Sequence, residues 1–247
     1  MDETTRDRYA KSFDAAAGAY HRARPSYPDQ ALDWLLPAGA RRVLDLAAGT
    51  GKLTASLVGR GLDVVAVEPL DGMRAHLQAA SPEADARAGT AEDIPLPDAD
   101  VDAVLVAQAW HWFDQDRALP EIARVLRPGG ILGLLYNTRD EREPWVDELS
   151  TAMGARDSAW RREHRLADSP YLGPVQTREF GHHQEIDLPT LLDAVRSRSY
   201  VIVRPEAERA VLLDTVTRLT RTHPALAGRT TFVLPYQTYC SRAERMP

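Results

Sequence analysis

Two acids each close an apolar run in this 247-residue chain, Asp45 in VLDLA and Glu68 in VVAVEP. After Asp45 the chain passes through AAGTG into KLTASL, so an acid and a run of small residues lie between an apolar segment and a helix-like one. Small residues in such a turn let a ligand press against backbone N–H groups. The chemistry therefore depends on which ligand would tolerate an acid at that place.

Three ligands compete for the turn. The phosphate loop of nucleoside triphosphatases needs Gly, four residues, then Gly-Lys-Ser/Thr. Here Leu53 follows Gly51-Lys52 and Leu46 stands where the first glycine belongs, so that reading fails. The dinucleotide fingerprint needs a third glycine for close helix–strand packing. Gly49 and Gly51 supply two, but Thr54 occupies the third place, and Asp45 would repel a pyrophosphate. A cation without phosphate suits Asp45 better, as in a methionyl ammonium beside a sulfonium, with turn N–H groups left for a carboxylate. Glu68 then has the geometry to accept both hydroxyls of a ribose. Ala91 and Glu92, in GTAEDIPLP, fall where an adenine edge would be read.

The elements that must hold these residues follow from the pattern. RRVLDLA, DVVAVEP, ADARAG, VDAVLVAQA and GGILGLLYNT are short, mostly apolar and bounded by Gly, Pro or Asp, as buried parallel strands are. Amphipathic segments at 51–60, 70–80 and 114–126 lie between them, and RPGG at 127–130 reads as a helix stop before a strand. This alternation predicts an α/β fold: a Rossmann-like, doubly wound sheet. A charged stretch at 139–176 reads as a helical insertion. Further strands are expected near 178–187 and in TFVLPYQTYC, with helices near 189–198 and 206–222.

Composition narrows the function. With 44% hydrophobic residues the chain can bury a large core, and its net charge of −6 disfavours a duplex-binding surface. One cysteine, Cys240, excludes an intrachain disulfide and fits a reducing, cytoplasmic setting. The charged opening MDETTRDRYA is unlike a signal peptide, and no apolar run nears the roughly 20 residues of a membrane span. His182 and His183 are adjacent in an expected strand, face opposite sides and make a poor metal pair, so no metal site is expected. No nucleic acid or membrane partner is expected, and the chain is read as a monomer or homodimer.

VLDLAAGTG, VVAVEP, AGTAEDIPLPDADVDAV and RVLRPGGILGLLY, taken together and in this order, resemble the class I S-adenosylmethionine-dependent methyltransferases. YHRARPSYP, QAWHWFD and the segment from SYVIVRPEAER to LPYQTY resemble a branch of small-molecule enzymes similar to trans-aconitate carboxyl methyltransferase. The resemblance implies a seven-stranded sheet with an antiparallel last strand, S-adenosyl-L-methionine as cofactor and a small-molecule acceptor methylated at oxygen. A non-catalytic binding protein, or a methyltransferase acting at nitrogen or carbon, is the alternative. It also implies one domain over 1–247: an N-terminal helical lid at 1–40, a cofactor-binding core at 41–138, an insertion over the acceptor site at 139–176, and the rest of the sheet at 177–247. Residues 12–27 are expected to order when the cofactor binds.

Residue roles follow from the same resemblance. Tyr20, Arg24, Asp45, Ala47, Gly49, Gly51, Glu68, Pro69, Met73, Ala91, Glu92 and Gln108 would bind the cofactor. Tyr27, Trp110, His111 and Trp112 would meet the acceptor, with His111 as a general base or as an orienting group. Plainer roles stand beside these: helix caps for the acids, core packing for Met73, a surface arginine at Arg24. Ala47 departs from the pattern, since the family turn carries glycine there and the extra methyl would narrow the methionyl pocket. The segment after the fourth strand reads AQAWHWF rather than the Asn/Asp-Pro-Pro-Tyr of enzymes that methylate bases, which counts against a nucleic-acid substrate.

Overall fold

The structure, a computed structural model, describes residues 23–154 and 166–246. Seven strands form one sheet in the order β3-β2-β1-β4-β5-β7-β6. They are β1 (Arg42–Leu46), β2 (Asp63–Val67), β3 (Asp85–Arg87), β4 (Val101–Ala107), β5 (Leu126–Arg139), β6 (Gln176–Asp187) and β7 (Thr231–Glu244). The first five pair in parallel, with Asp45 beside Ala66 of β2 and Leu105 of β4. Arg245, just past β7, accepts from Gly129 N and donates to Gly130 O, the exchange of an antiparallel pairing of β7 with β5. The helices are α1 (Asp29–Leu35), α2 (Lys52–Val58), α3 (Asp71–Ala80), α4 (Gln115–Val125), α5 (Pro144–Met153), α6 (Leu188–Arg196), α7 (Ser199–Ile202) and α8 (Glu206–Thr222).

β1 and β2 are buried along nearly their whole lengths, as expected of strands covered on both faces. The chain runs from β1 outward to β3 and returns on the other side of β1 as β4. The carboxyl ends of β1 and β4 therefore frame the switch point at which doubly wound sheets bind ligands.

The described residues group into two compact units. In the unit of residues 26–137, 166–180 and 238–246, Leu32 and Leu35 of α1 and Leu53 and Leu57 of α2 share a core with Val43, Leu105 and Leu135. In the unit of residues 23–25, 138–154 and 181–237, helices α5, α6 and α8 bury Leu149, Leu191 and Val216 with Phe232 and Leu234 of β7. Trp145 meets Phe232 edge-on, with ring centroids 5.7 Å apart.

Two boundaries differ from expectation. RPGG does not separate α4 from β5: the strand begins at Leu126 and takes in Gly129, whose φ of 78° is open to glycine, because β7 pairs with this stretch. The expected helical stretch at 139–176 is helical only over Pro144–Met153 among its described residues, and 166–175 contain no helix. The part of the expected N-terminal lid that precedes residue 23 lies outside the described residues.

Candidate active site

Asp45, the penultimate residue of β1, is fully buried. Thr54, in the first turn of α2 and also fully buried, donates its hydroxyl to Asp45 Oδ2 at 2.6 Å. Asp45 Oδ1 is buried and has no hydrogen-bond partner among the described residues. Burial lifts the carboxyl to about 7; the Thr54 bonds act the other way, and the nearby charge of Glu68 adds a smaller upward push.

The chain then turns through Ala47 (φ 58°), Gly49 (φ 57°) and Gly51 (φ 82°), all left-handed. The two glycines serve different ends. A Cβ on Gly51 would sit 2.8 Å from Leu77 Cγ, so Gly51 lets α2 and α3 approach. Among the described residues, a Cβ on Gly49 would meet nothing within 4 Å, so that side of the turn is open to them. Ala47 adopts a conformation that usually selects glycine, at a cost of about 1–2 kcal/mol.

Glu68 follows β2 and ties the turn to it. Its carboxylate accepts Gly49 N on Oε2 at 2.8 Å and Leu70 N on Oε1 at 2.9 Å. Ala48 N donates to Val67 O at 3.1 Å, so the turns after β1 and β2 are joined by backbone as well. Both carboxylate oxygens of Glu68 are thus engaged by backbone N–H groups at the lip of the turn. Pro69 is exposed at the mouth, whereas Met73 is buried on the inner face of α3 with Leu77. After β3, Ala91 is buried and the Glu92 carboxylate accepts Asp114 N at 2.9 Å, tying that loop to the start of α4.

The end of β4 holds a second strained residue, Gln108, with φ 61°. Non-glycine residues held this way cluster at functional sites. Gln108 N donates to Leu135 O at 2.9 Å and its side-chain amide to Asn137 O at 3.1 Å. Asn137 in turn donates to Ser26 O at 3.0 Å and accepts the Thr238 hydroxyl at 2.7 Å. Next comes a single 3₁₀ turn, Trp110–Trp112. Trp110 is fully buried against Phe113, while His111 and Trp112 are half-buried with ring centroids 4.7 Å apart. The buried Tyr136 hydroxyl faces the N–H groups of Trp110 and His111; burial raises its pKa and those donors partly oppose it. Tyr27 is half-buried against the α1 core.

The unit of residues 26–137 thus holds Asp45, the turn, Glu68, Pro69, Met73, Ala91, Glu92, Gln108 and the 110–112 turn at the ends of four neighbouring parallel strands. Arg24 belongs to the other unit, where its guanidinium donates to Ser197 O at 3.1 Å. Tyr20 lies outside the described residues. Thr54 and Asn137 had no functional reading in the sequence. In the sequence Thr54 served to exclude a dinucleotide, and its place between Leu53 and Leu57 on the buried side of a helix was the sign that its hydroxyl needs a partner. No group of three or more His, Cys, Asp or Glu among the described residues is placed to hold a metal ion.

Comparison with known proteins gives this geometry a class. Residues 44–134 match the methyltransferase-domain family. An uncharacterized methyltransferase of Mycobacterium tuberculosis is 56% identical over 94% of this chain and 95% of its own length. A methyltransferase-like protein of Schizosaccharomyces pombe is 32% identical over 96% of each. Among solved structures, one assigned to a type II methyltransferase of Anaeromyxobacter dehalogenans shares the fold. Its TM-score is 0.70 at 24% identity, over 91% of this chain and 99% of that one. The chain belongs to the class I S-adenosylmethionine-dependent methyltransferases.

Proposed function

We propose that this chain binds S-adenosyl-L-methionine in the cleft formed by the turns after β1, β2, β3 and β4, and methylates a small-molecule acceptor at oxygen. The carrying observation is the pairing of a buried acid, Asp45, one of whose oxygens has no partner among the described residues, with a left-handed glycine, Gly49, whose Cβ side is open among them. A ligand bearing an ammonium satisfies the first and one lying flat on backbone fills the second. Glu68, an acid at the end of β2 held by Gly49 N and Leu70 N, is the residue that would accept the two ribose hydroxyls. Met73, Pro69, Ala91 and Glu92 would border the adenine, and Gln108 the methionyl side.

When bound, the cofactor supplies an electrophilic methyl group on a positively charged sulfur. The protein's part is alignment and exclusion of water, and holding reacting atoms near 3 Å is worth up to about 7–11 kcal/mol. Tyr27, Trp110, His111 and Trp112 are the acceptor-side residues in this reading. A carboxylate acceptor needs no base, whereas a hydroxyl would use His111. The acceptor class is supported by two features of the chain: its net charge of −6 and AQAWHWF in place of a base-reading motif. The experiment is incubation with methyl-labelled cofactor and a metabolite extract, followed by mass spectrometry of the labelled product. A labelled small carboxylic ester or ether supports the reading; label found only in protein or nucleic acid contradicts it.

A further inference from the structure

The glycine turn is not the only device that prepares Asp45. Thr54 stands where a dinucleotide site would carry its third glycine, and it does more there than block that packing. Its hydroxyl reaches back across the turn to Asp45 Oδ2 at 2.6 Å, and both residues are sealed from solvent. A buried charge-assisted bond of that length fixes a carboxylate in one rotation. The other oxygen, Oδ1, remains without a partner among the described residues, an expensive arrangement unless something else is to meet it.

We propose that Thr54 is a positioning residue of this site, locking one oxygen of Asp45 so that the other is held for the ammonium of the methionyl group. The inference rests on the cofactor reading above. Among the described residues, Thr54 bonds Asp45 through both its hydroxyl and its backbone N–H, and only the hydroxyl is open to substitution. Ala66 of β2 and Leu105 of β4 flank Asp45 in the sheet, and their side chains carry no donor. Glu68, after β2, acts on Asp45 repulsively, and the charged residue of α2 is Lys52, its first. The Thr54 bond favours the ionised carboxylate against the desolvation that opposes it. Loss of the hydroxyl should therefore change both the affinity for the cationic ligand and the pH at which that affinity appears.

The test is calorimetric titration of the full chain with S-adenosylhomocysteine at pH values on both sides of about 7, with thermal unfolding to check the fold. Thr54→Ser keeps the hydroxyl and should follow the parent. Thr54→Val keeps the shape and should bind about tenfold or more weakly, with the pH of half-maximal affinity moved upward. A change in packing alone lowers stability without moving that midpoint. Parental affinity and an unmoved midpoint in folded Thr54→Val overturn the inference. Should the valine variant fail to fold, Thr54→Ala carries the same two outcomes. A parent chain that does not bind the ligand overturns the cofactor reading, and this inference with it. A parent that binds while the valine variant is indifferent overturns only the role of Thr54.

Discussion

Glu68 and Asp45 answer differently to substitution, although both are buried acids at strand ends. Glu68 supports the turn through Gly49 N and Leu70 N, so Glu68→Ala removes two backbone partners as well as the proposed ribose contact. It should weaken S-adenosylhomocysteine binding by about 1.5–3 kcal/mol and lower stability by about 1 kcal/mol per lost bond. Titration and denaturant unfolding of the variant separate the two effects; unchanged affinity in a folded variant would remove Glu68 from the site. For Asp45 the effect is one of protons. The folded carboxyl holds its proton to about 7, whereas the unfolded one releases it near 3.8. Between those values the folded chain binds more protons, so stability falls as pH rises and levels off above about 7. Asp45→Asn cannot ionise and should lack this fall. Its stability relative to the parent should grow with pH by up to about 1.4 kcal/mol per unit through that window; a constant difference would mean that Asp45 is not shifted.

The β1–α2 turn distinguishes residues that a glycine count treats alike. Gly49→Ala should cost about 1 kcal/mol of stability through its left-handed backbone but should strongly impair ligand binding, because its methyl projects into the open side of the turn. Gly51→Ala should do the reverse, its methyl striking Leu77 rather than a ligand. Ala47→Gly should be neutral or stabilising by up to about 1 kcal/mol, relief of its backbone strain being partly offset by the freedom of glycine in the unfolded chain. Thermal unfolding and titration of the three variants check the set, and equal binding losses at 49 and 51 would contradict it. Asp45, Gly49, Gly51 and Glu68 were legible because an apolar strand, an acid and small residues leave a local signal. Thr54 and Asn137 were not, because their partners come from across a turn or from distant segments, as in the bonds from Asn137 to Ser26 and from Thr238 to Asn137. The extension of β5 through RPGG was hidden for the same reason: its partner, Arg245, lies near the far end of the sequence.

Across the whole molecule, apolar strand runs separated by amphipathic helices were enough to predict the parallel part of the sheet, since each strand carries its own pattern. The two packed units were not legible, because β5, β6 and β7 each pass from one unit into the other without a break in sequence character. No helix among the described residues is long and apolar enough to cross a membrane. The central claim, that an acid-headed glycine turn takes a cationic methionyl ligand and not a phosphate, is tested most directly by calorimetric titration of the purified chain with S-adenosylmethionine, S-adenosylhomocysteine, NAD and ATP under one set of conditions. Saturable binding of the first two, with NAD and ATP far weaker, is the expected result. Tight binding of NAD with none of S-adenosylmethionine would contradict it.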